Sequence, residues 1–255
     1  MMYKATYKPY KSKFNGHLEK YKNIHVGESA ILFMNGPTRF SYTPIKGSEN
    51  FIKVGANRIW DFNTDEDIKN LNYWFFGSEY FKDSGVIHRG GKEERTKVDK
   101  ICYDPQFNKL IKFTSSWEDG RSHGEIGRGN ITPERSRELG AIPYENNLGY
   151  FSHDIAKYAT LGHDVVYPAL QFLLYMGVSR IFLVGCDCGY TPLDSVDTGD
   201  PEMLYWWNEF KKWQLQYYPS IQIITVNPVP KGLKGMFDDL YQNGFENFNV
   251  DNLKS

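Results

Sequence analysis

The sequence predicts an α/β fold, a parallel sheet with helices on both faces and an inserted lid region. Three observations predict it. Short apolar runs recur along the chain, and each ends in a loop of small and polar residues, which is the rhythm of a parallel sheet. The run 181–184 is apolar throughout, as a strand covered on both faces must be. Just before it, Val166, Leu170, Leu173, Leu174 and Met176 recur at helical spacing, and Gly177 supplies the stop.

The elements follow in order. Residues 1–22 read as an irregular basic leader, and 23–255 as a single domain. Residues 30–34 (AILFM) are a buried strand, broken by Asn35-Gly36-Pro37. A second strand over 51–54 ends at Gly55-Ala56-Asn57. Thr64 is placed to N-cap a helix whose first turn carries Asp65, Glu66 and Asp67. A third strand, 73–76 (YWFF), runs into Gly77-Ser78. Residues 85–150 interrupt the rhythm with a charged run and then SSWEDGRSHGEIGRGN, which predicts an insert or lid. The rhythm returns with the helix–strand unit of 164–190. An aromatic amphipathic helix follows over 202–217, and a last strand over 221–226 ends at Asn227-Pro228.

Composition narrows the function classes. A net charge of -1 argues against a general nucleic-acid binder, which carries a basic excess. No apolar run reaches the roughly 18 residues that a membrane-spanning helix needs, and the N-terminus lacks an apolar signal core, so a cytoplasmic location is expected. Peripheral membrane association stays open. The 3 cysteines, Cys102, Cys186 and Cys188, make no disulfide framework. Cys186 and Cys188 are expected at alternating strand positions flanking Asp187, with no further ligands to complete a zinc set.

In open α/β sheets ligands bind beyond the carboxyl ends of the strands. The candidate binding residues therefore lie in the loops there. Asn35 and Gly36 follow the first strand, where Gly36 would admit a ligand to the backbone and free loop N–H groups would hold a phosphate. Asn57 follows the second strand and Ser78 the third, though either also suits a turn or helix cap. His163 and Asp164 open the buried helix, where N–H donors favour an anion and Asp164 is also the natural N-cap. Asp187, Gly189 and Tyr190 follow the late strand. An acid there must be hydrogen-bonded or face a solvated cleft. Asp65-Glu66-Asp67 has the D-x-D form of a metal-holding transferase motif, but acids in a first helical turn are explained by the helix dipole. No resident metal or cofactor is expected.

Taken together these loops resemble a known family. A strand running into Asn35-Gly36-Pro37, a second ending in Gly55-Ala56-Asn57-Arg58-Ile59, and a late unit carrying Val166, Ala169, Leu170, Gln171, Gly177, Ile181, Leu183, Gly185 and Asp187 look like the bacterial lipooligosaccharide sialyltransferase superfamily. That superfamily also holds motility-accessory glycosyltransferases for nonulosonic acids and hydroxymethylpterin-diphosphokinase-like domains. The likeness covers about 24–80 and 160–237.

The resemblance implies a Rossmann-like domain with a lid and a metal-independent transfer from a CMP-activated, sialic-acid-like sugar to a glycan acceptor. It implies that Asn35 and Asn57 contact the nucleotide and its phosphate. Asp187 matches the acid after the late strand, and Gly189 or Tyr190 falls where a phosphate-binding tyrosine sits. Two positions depart from the pattern. Asp164-Val165 stands where the family has small hydroxyl residues. No histidine follows His163, although the family's general base is a histidine after the late strand. The base role would then fall to Asp187 or to a histidine such as His163, or to one of the insert. Two rivals remain: a diphosphokinase using ATP and a divalent metal, with Asp187 and Asp194 as ligands, and a non-catalytic nucleotide-binding module.

Overall fold

The computed structural model describes residues 11–36, 38–39, 42–61, 63–77, 91–116, 133–147, 151–161, 164–188, 201–226 and 232–240. They form an open sheet of nine strands, every adjacent pair parallel. The strands are β1 (Ser29–Phe33), β2 (Ile52–Ala56), β3 (Tyr73–Phe76), β4 (Ile111–Ser116), β5 (Ala141–Asn147), β6 (Thr160–Leu161), β7 (Arg180–Val184), β8 (Gln222–Val226) and β9 (Asp238–Asp239). Their order is β6-β5-β4-β3-β2-β1-β7-β8-β9. The chain winds outward from β1 through β6 on one side, then returns to β7 and winds outward on the other. The direction reverses between β1 and β7.

The strand alternation sorts the core cleanly. Leu32, Val54, Phe75, Phe113, Tyr144, Leu183 and Ile223 point to one face and pack together. That face is covered by α4 (Val166–Tyr175) and α5 (Pro201–Tyr217), with Trp207, Phe210 and Trp213 from α5. Trp74 and Phe76 point to the other face, against Ile68 of α1 (Asp65–Lys69) and Val98, Ile101 and Cys102 of α2 (Gly91–Tyr103). Ile31, Phe182, Val184, Ile224 and Val226 share that second face beside Ile45 and Leu240. The expected parallel sheet with helices on both faces is what the chain forms.

The late unit forms as its residues dictate. All ten residues of α4 are buried, and its one amide, Gln171, accepts from Ser152 N–H and donates to Tyr167 O. Pro168 falls in its first turn, where no intrahelical N–H is lost. Gly177 ends it at φ +89, with Gly177 N–H donating to Leu174 O and Val178 N–H to Leu173 O. That pairing satisfies the last carbonyls and turns the chain into β7. In α1, the Thr64 hydroxyl accepts from Asp67 N–H and the Asp67 carboxylate accepts from Thr64 N–H. Asp65 pairs with Lys100 at 2.5 Å. The acids of the D-x-D are therefore spent on a helix start and an ion pair.

Two sequence boundaries are corrected. The predicted insert of 85–150 is narrower, because β4 and β5 are strands of the main sheet, with α2 packed on it and α3 (Pro133–Glu138) between the two strands in the chain. Residues 85–90, 117–132 and 148–150 lie outside the described residues. The leader is not irregular throughout. Asn15–Tyr21 forms a 3-10 helix whose Leu18 and Tyr21 enter the core, and Ser12 donates to Glu145 Oε2 at 2.6 Å. Among the described residues no helix is long and apolar enough to cross a membrane.

Candidate functional site

β1 and β7 flank the point where the winding direction reverses, which is where open α/β sheets place their ligands. Asn35, Asn57 and Asp187 follow β1, β2 and β7, three adjacent strands. Their strands β2 and β7 are two strand spacings apart, about 10 Å, with β1 between them.

Asn35 is oriented by its neighbour. Its Nδ2 donates to Ala56 O at 3.0 Å, and a carbonyl can only accept. The amide is thereby fixed, and Oδ1 is a buried acceptor with no hydrogen-bond partner. Asn57 turns the chain after β2 at φ 47, a conformation asparagine tolerates. Its backbone oxygen accepts from Trp74 Nε1 at 2.9 Å, and its Oδ1 accepts from Gly77 N–H at 3.1 Å. The Asn57 Nδ2 is left as a donor. The two asparagines present an acceptor and a donor on neighbouring strand ends.

The turn after β1 is not the phosphate cradle that the sequence suggests. Gly36 N–H donates to Gly185 O at 2.8 Å, Arg39 N–H to Gly36 O at 3.1 Å, and Thr38 N–H to Asp187 Oδ2 at 2.7 Å. These donors are already committed. Gly36 is needed for close packing rather than ligand approach. A Cβ there would lie 2.4 Å from Asp187 Oδ2 and 2.4 Å from Gly185 O. Gly185, at φ +71, makes the reciprocal approach to Met34 O.

Asp187 is buried, and each carboxylate oxygen accepts from Thr38: the N–H donates to Oδ2 and the hydroxyl to Oδ1, at 2.5 Å. Burial raises its pKa, and the two Thr38 bonds oppose that shift. Arg39 is buried beside them. Its Nη1 donates to Met34 O at 3.0 Å and its guanidinium lies 4.9 Å from the Phe33 ring centre. Burial lowers its pKa to about 10, so it stays charged at neutral pH. Desolvation raises the pKa of the half-buried Cys186 thiol well above its usual value, with Cys188, Asp187 and Asp164 acting in the same direction, which disfavours the thiolate. The residues after β7 also leave strand geometry. Cys188 has φ 55, so the expected strand alternation of Cys186 and Cys188 does not hold.

The N-cap of α4 is Val165 rather than the expected Asp164, whose carboxylate accepts from Val166 N–H at 3.2 Å one residue earlier. The Asp164 charge adds to the upward shift of the Cys186 thiol. Ser78, His163, Gly189, Tyr190 and Asp194 lie outside the described residues. Sequence reasoning missed Thr38, the partner of Asp187. It also missed Ser116, Asn146 and Thr160, whose buried polar atoms lack hydrogen-bond partners at β4, β5 and β6. The polar tails of IKFTSS and AIPYENN are the signal that would have found the first two. Among the described residues no group of His, Cys, Asp and Glu is arranged to hold a metal.

No protein-family model matches the chain, and no curated protein matches it significantly. Among solved structures it is similar to the sialyltransferase CST-II in complex with a trisaccharide acceptor and CMP, at 13% identity over 87% of this chain and 89% of that one, TM-score 0.46. A CstII structure from Campylobacter jejuni with cytidine-5'-monophosphate matches at 12% identity over 88% of this chain and 89% of that one, TM-score 0.45. Identity this low and superposition this loose carry no activity across.

Proposed function

We propose that this chain is a glycosyltransferase that takes a nucleotide-activated sugar, a CMP-linked acidic sugar, and passes it to a glycan hydroxyl. The observation that carries the reading is the Asn35 amide. Its Oδ1 is held as a buried acceptor without a partner, one strand from the Asn57 donor, beside the reversal of the sheet winding. A buried acceptor left unmade costs about 1–3 kcal/mol. A ligand donor, such as a ribose hydroxyl or a nucleobase amine, would recover that cost. The motif resemblance around Asn35, Asn57 and Asp187 names the nucleotide class.

In this reading the asparagines orient the nucleotide, and the glycan hydroxyl attacks the anomeric carbon as the nucleotide phosphate leaves. The turn after β1 supplies few free N–H groups, so stabilisation of that phosphate falls to other groups of the rim. Asp187 already accepts from Thr38, which leaves His163, three residues ahead of α4 in the sequence, as the candidate to accept the proton of the attacking hydroxyl.

The test is calorimetry and thermal unfolding with CMP, CDP, UDP, GDP and ATP, in EDTA and in magnesium. CMP is expected to bind in EDTA and to stabilise the protein by about 2.7 kcal/mol at 100 times its Kd. Asn35→Ala is expected to weaken CMP about tenfold, in line with loss of one hydrogen bond. Stabilisation by ATP with magnesium, and none by CMP, would replace this reading with the diphosphokinase.

A further inference from the structure

We infer that Asp187 is a positioning residue: its carboxylate ties down the turn after β1 through Thr38 and so sets where Asn35 meets its ligand. The consequence for ligand binding rests on the nucleotide reading above; the tether itself does not. Three contacts hold the turn from below. Gly36 N–H donates to Gly185 O, Arg39 Nη1 donates to Met34 O, and Thr38 donates twice to Asp187. The first two are backbone-directed and pin the residues on either side of Asn35. Only the third joins side chain to side chain, across 149 residues of sequence.

Asp187 sits where a Cβ on Gly36 would have to go, so carboxylate and turn are packed without a gap. A proton acceptor for an incoming hydroxyl needs an oxygen within hydrogen-bond reach of it. Both Asp187 oxygens instead face Thr38 donors, in a charge-assisted arrangement of the stronger kind. The acid after the late strand thus acts on the ligand through Thr38 and the turn, rather than by touching reacting atoms.

Asparagine at 187 separates the two roles. Its Oδ1 can accept the Thr38 N–H and its Nδ2 can donate to the Thr38 hydroxyl, so the turn is kept while the base is lost. The experiment compares Asp187→Asn, Asp187→Ala, Thr38→Val and the double variant Asp187→Ala with Thr38→Val, in the full chain. CMP affinity is read by calorimetry, and amide exchange at Thr38 is read without ligand. Asp187→Asn is expected to stay within about threefold of wild-type affinity, and Asp187→Ala to lose roughly tenfold. The double variant is expected to be no worse than Asp187→Ala, since both changes remove one interaction. The Thr38 amide is expected to exchange faster in Asp187→Ala and to stay protected in Asp187→Asn.

Unchanged CMP affinity in all variants, with turnover lost equally in Asp187→Asn and Asp187→Ala, would make Asp187 the base and overturn the proposal. Additive losses in the double variant would overturn it too. If the wild type binds no CMP, the nucleotide reading fails by itself. Exchange at Thr38 then still decides the tether: faster exchange in Asp187→Ala supports it, and an unaffected amide overturns it. If Asp187→Ala does not fold, Thr38→Val takes its place. Faster exchange of the residue-38 amide in Thr38→Val than in the wild type, each relative to its intrinsic rate, supports the tether, and equal protection overturns it.

Discussion

Asn35 and Gly36 show how much a single position can depend on its surroundings. In Asn35 the Ala56 carbonyl decides which end of the amide is left without a partner. At Gly36 the issue is space, not backbone freedom. Any Cβ would press on Gly185 O, a backbone atom with little room to yield. Gly36→Ala is therefore expected to cost about 1–3 kcal/mol, as overpacking does. Urea unfolding of the unliganded protein measures it, and an unchanged midpoint would show that the two loops part freely. Sequence reasoning took Gly36 as a position where a ligand comes close to the backbone. It assigned the freed space to a ligand, because the chain that fills it, at 185–187, is remote in sequence.

Among the elements, α4 is the one whose burial the rest of the sheet depends on. Phe172 is fully buried and meets Phe75, Phe113 and Tyr144 at centroid distances of 5.1, 4.8 and 5.3 Å. It thus joins β3, β4 and β5 under one helix. Phe172→Ala is expected to cost about 3–5 kcal/mol, a fall in Tm of roughly 10 °C for a chain of this size. Differential scanning calorimetry checks it. A loss under about 1 kcal/mol would mean that α4 is not packed on these strands. The apolar spacing of α4 and the stop at Gly177 were legible because both are local. β5 was not legible, since Pro143 and the polar end of AIPYENN argue against an inner strand. Pro143 is tolerated because β6 pairs with β5 only at Asn146 and Asn147. The Pro143 carbonyl instead faces His17, which approaches its oxygen to 2.8 Å.

At the scale of the whole molecule, the sheet is deep in the middle and thin at its ends. β1, β2 and β7 are paired on both sides, whereas β6 and β9 are two-residue strands at the edges. Native-state hydrogen exchange is expected to be slowest at β1, β2 and β7 and fastest at β6 and β9. Edge amides that outlast the central ones would contradict this strand order. The same order puts the candidate site over the most stable part of the sheet. Asn35, Asn57 and Asp187 can therefore be held in place by strands that rarely open.

The sequence by itself determined what depends on near neighbours. The central strands and their polar loops, the buried helix with its glycine stop, and the capping box that accounts for Asp65-Glu66-Asp67 all follow from residues a few positions apart. Only the tertiary structure decided the strand order, the place of β4 and β5 in the sheet, the direction of the Asn35 amide and the partner of Asp187. Each of these is set by a contact between residues far apart in the chain. Local propensity and periodicity carry no record of which distant donor or strand will arrive.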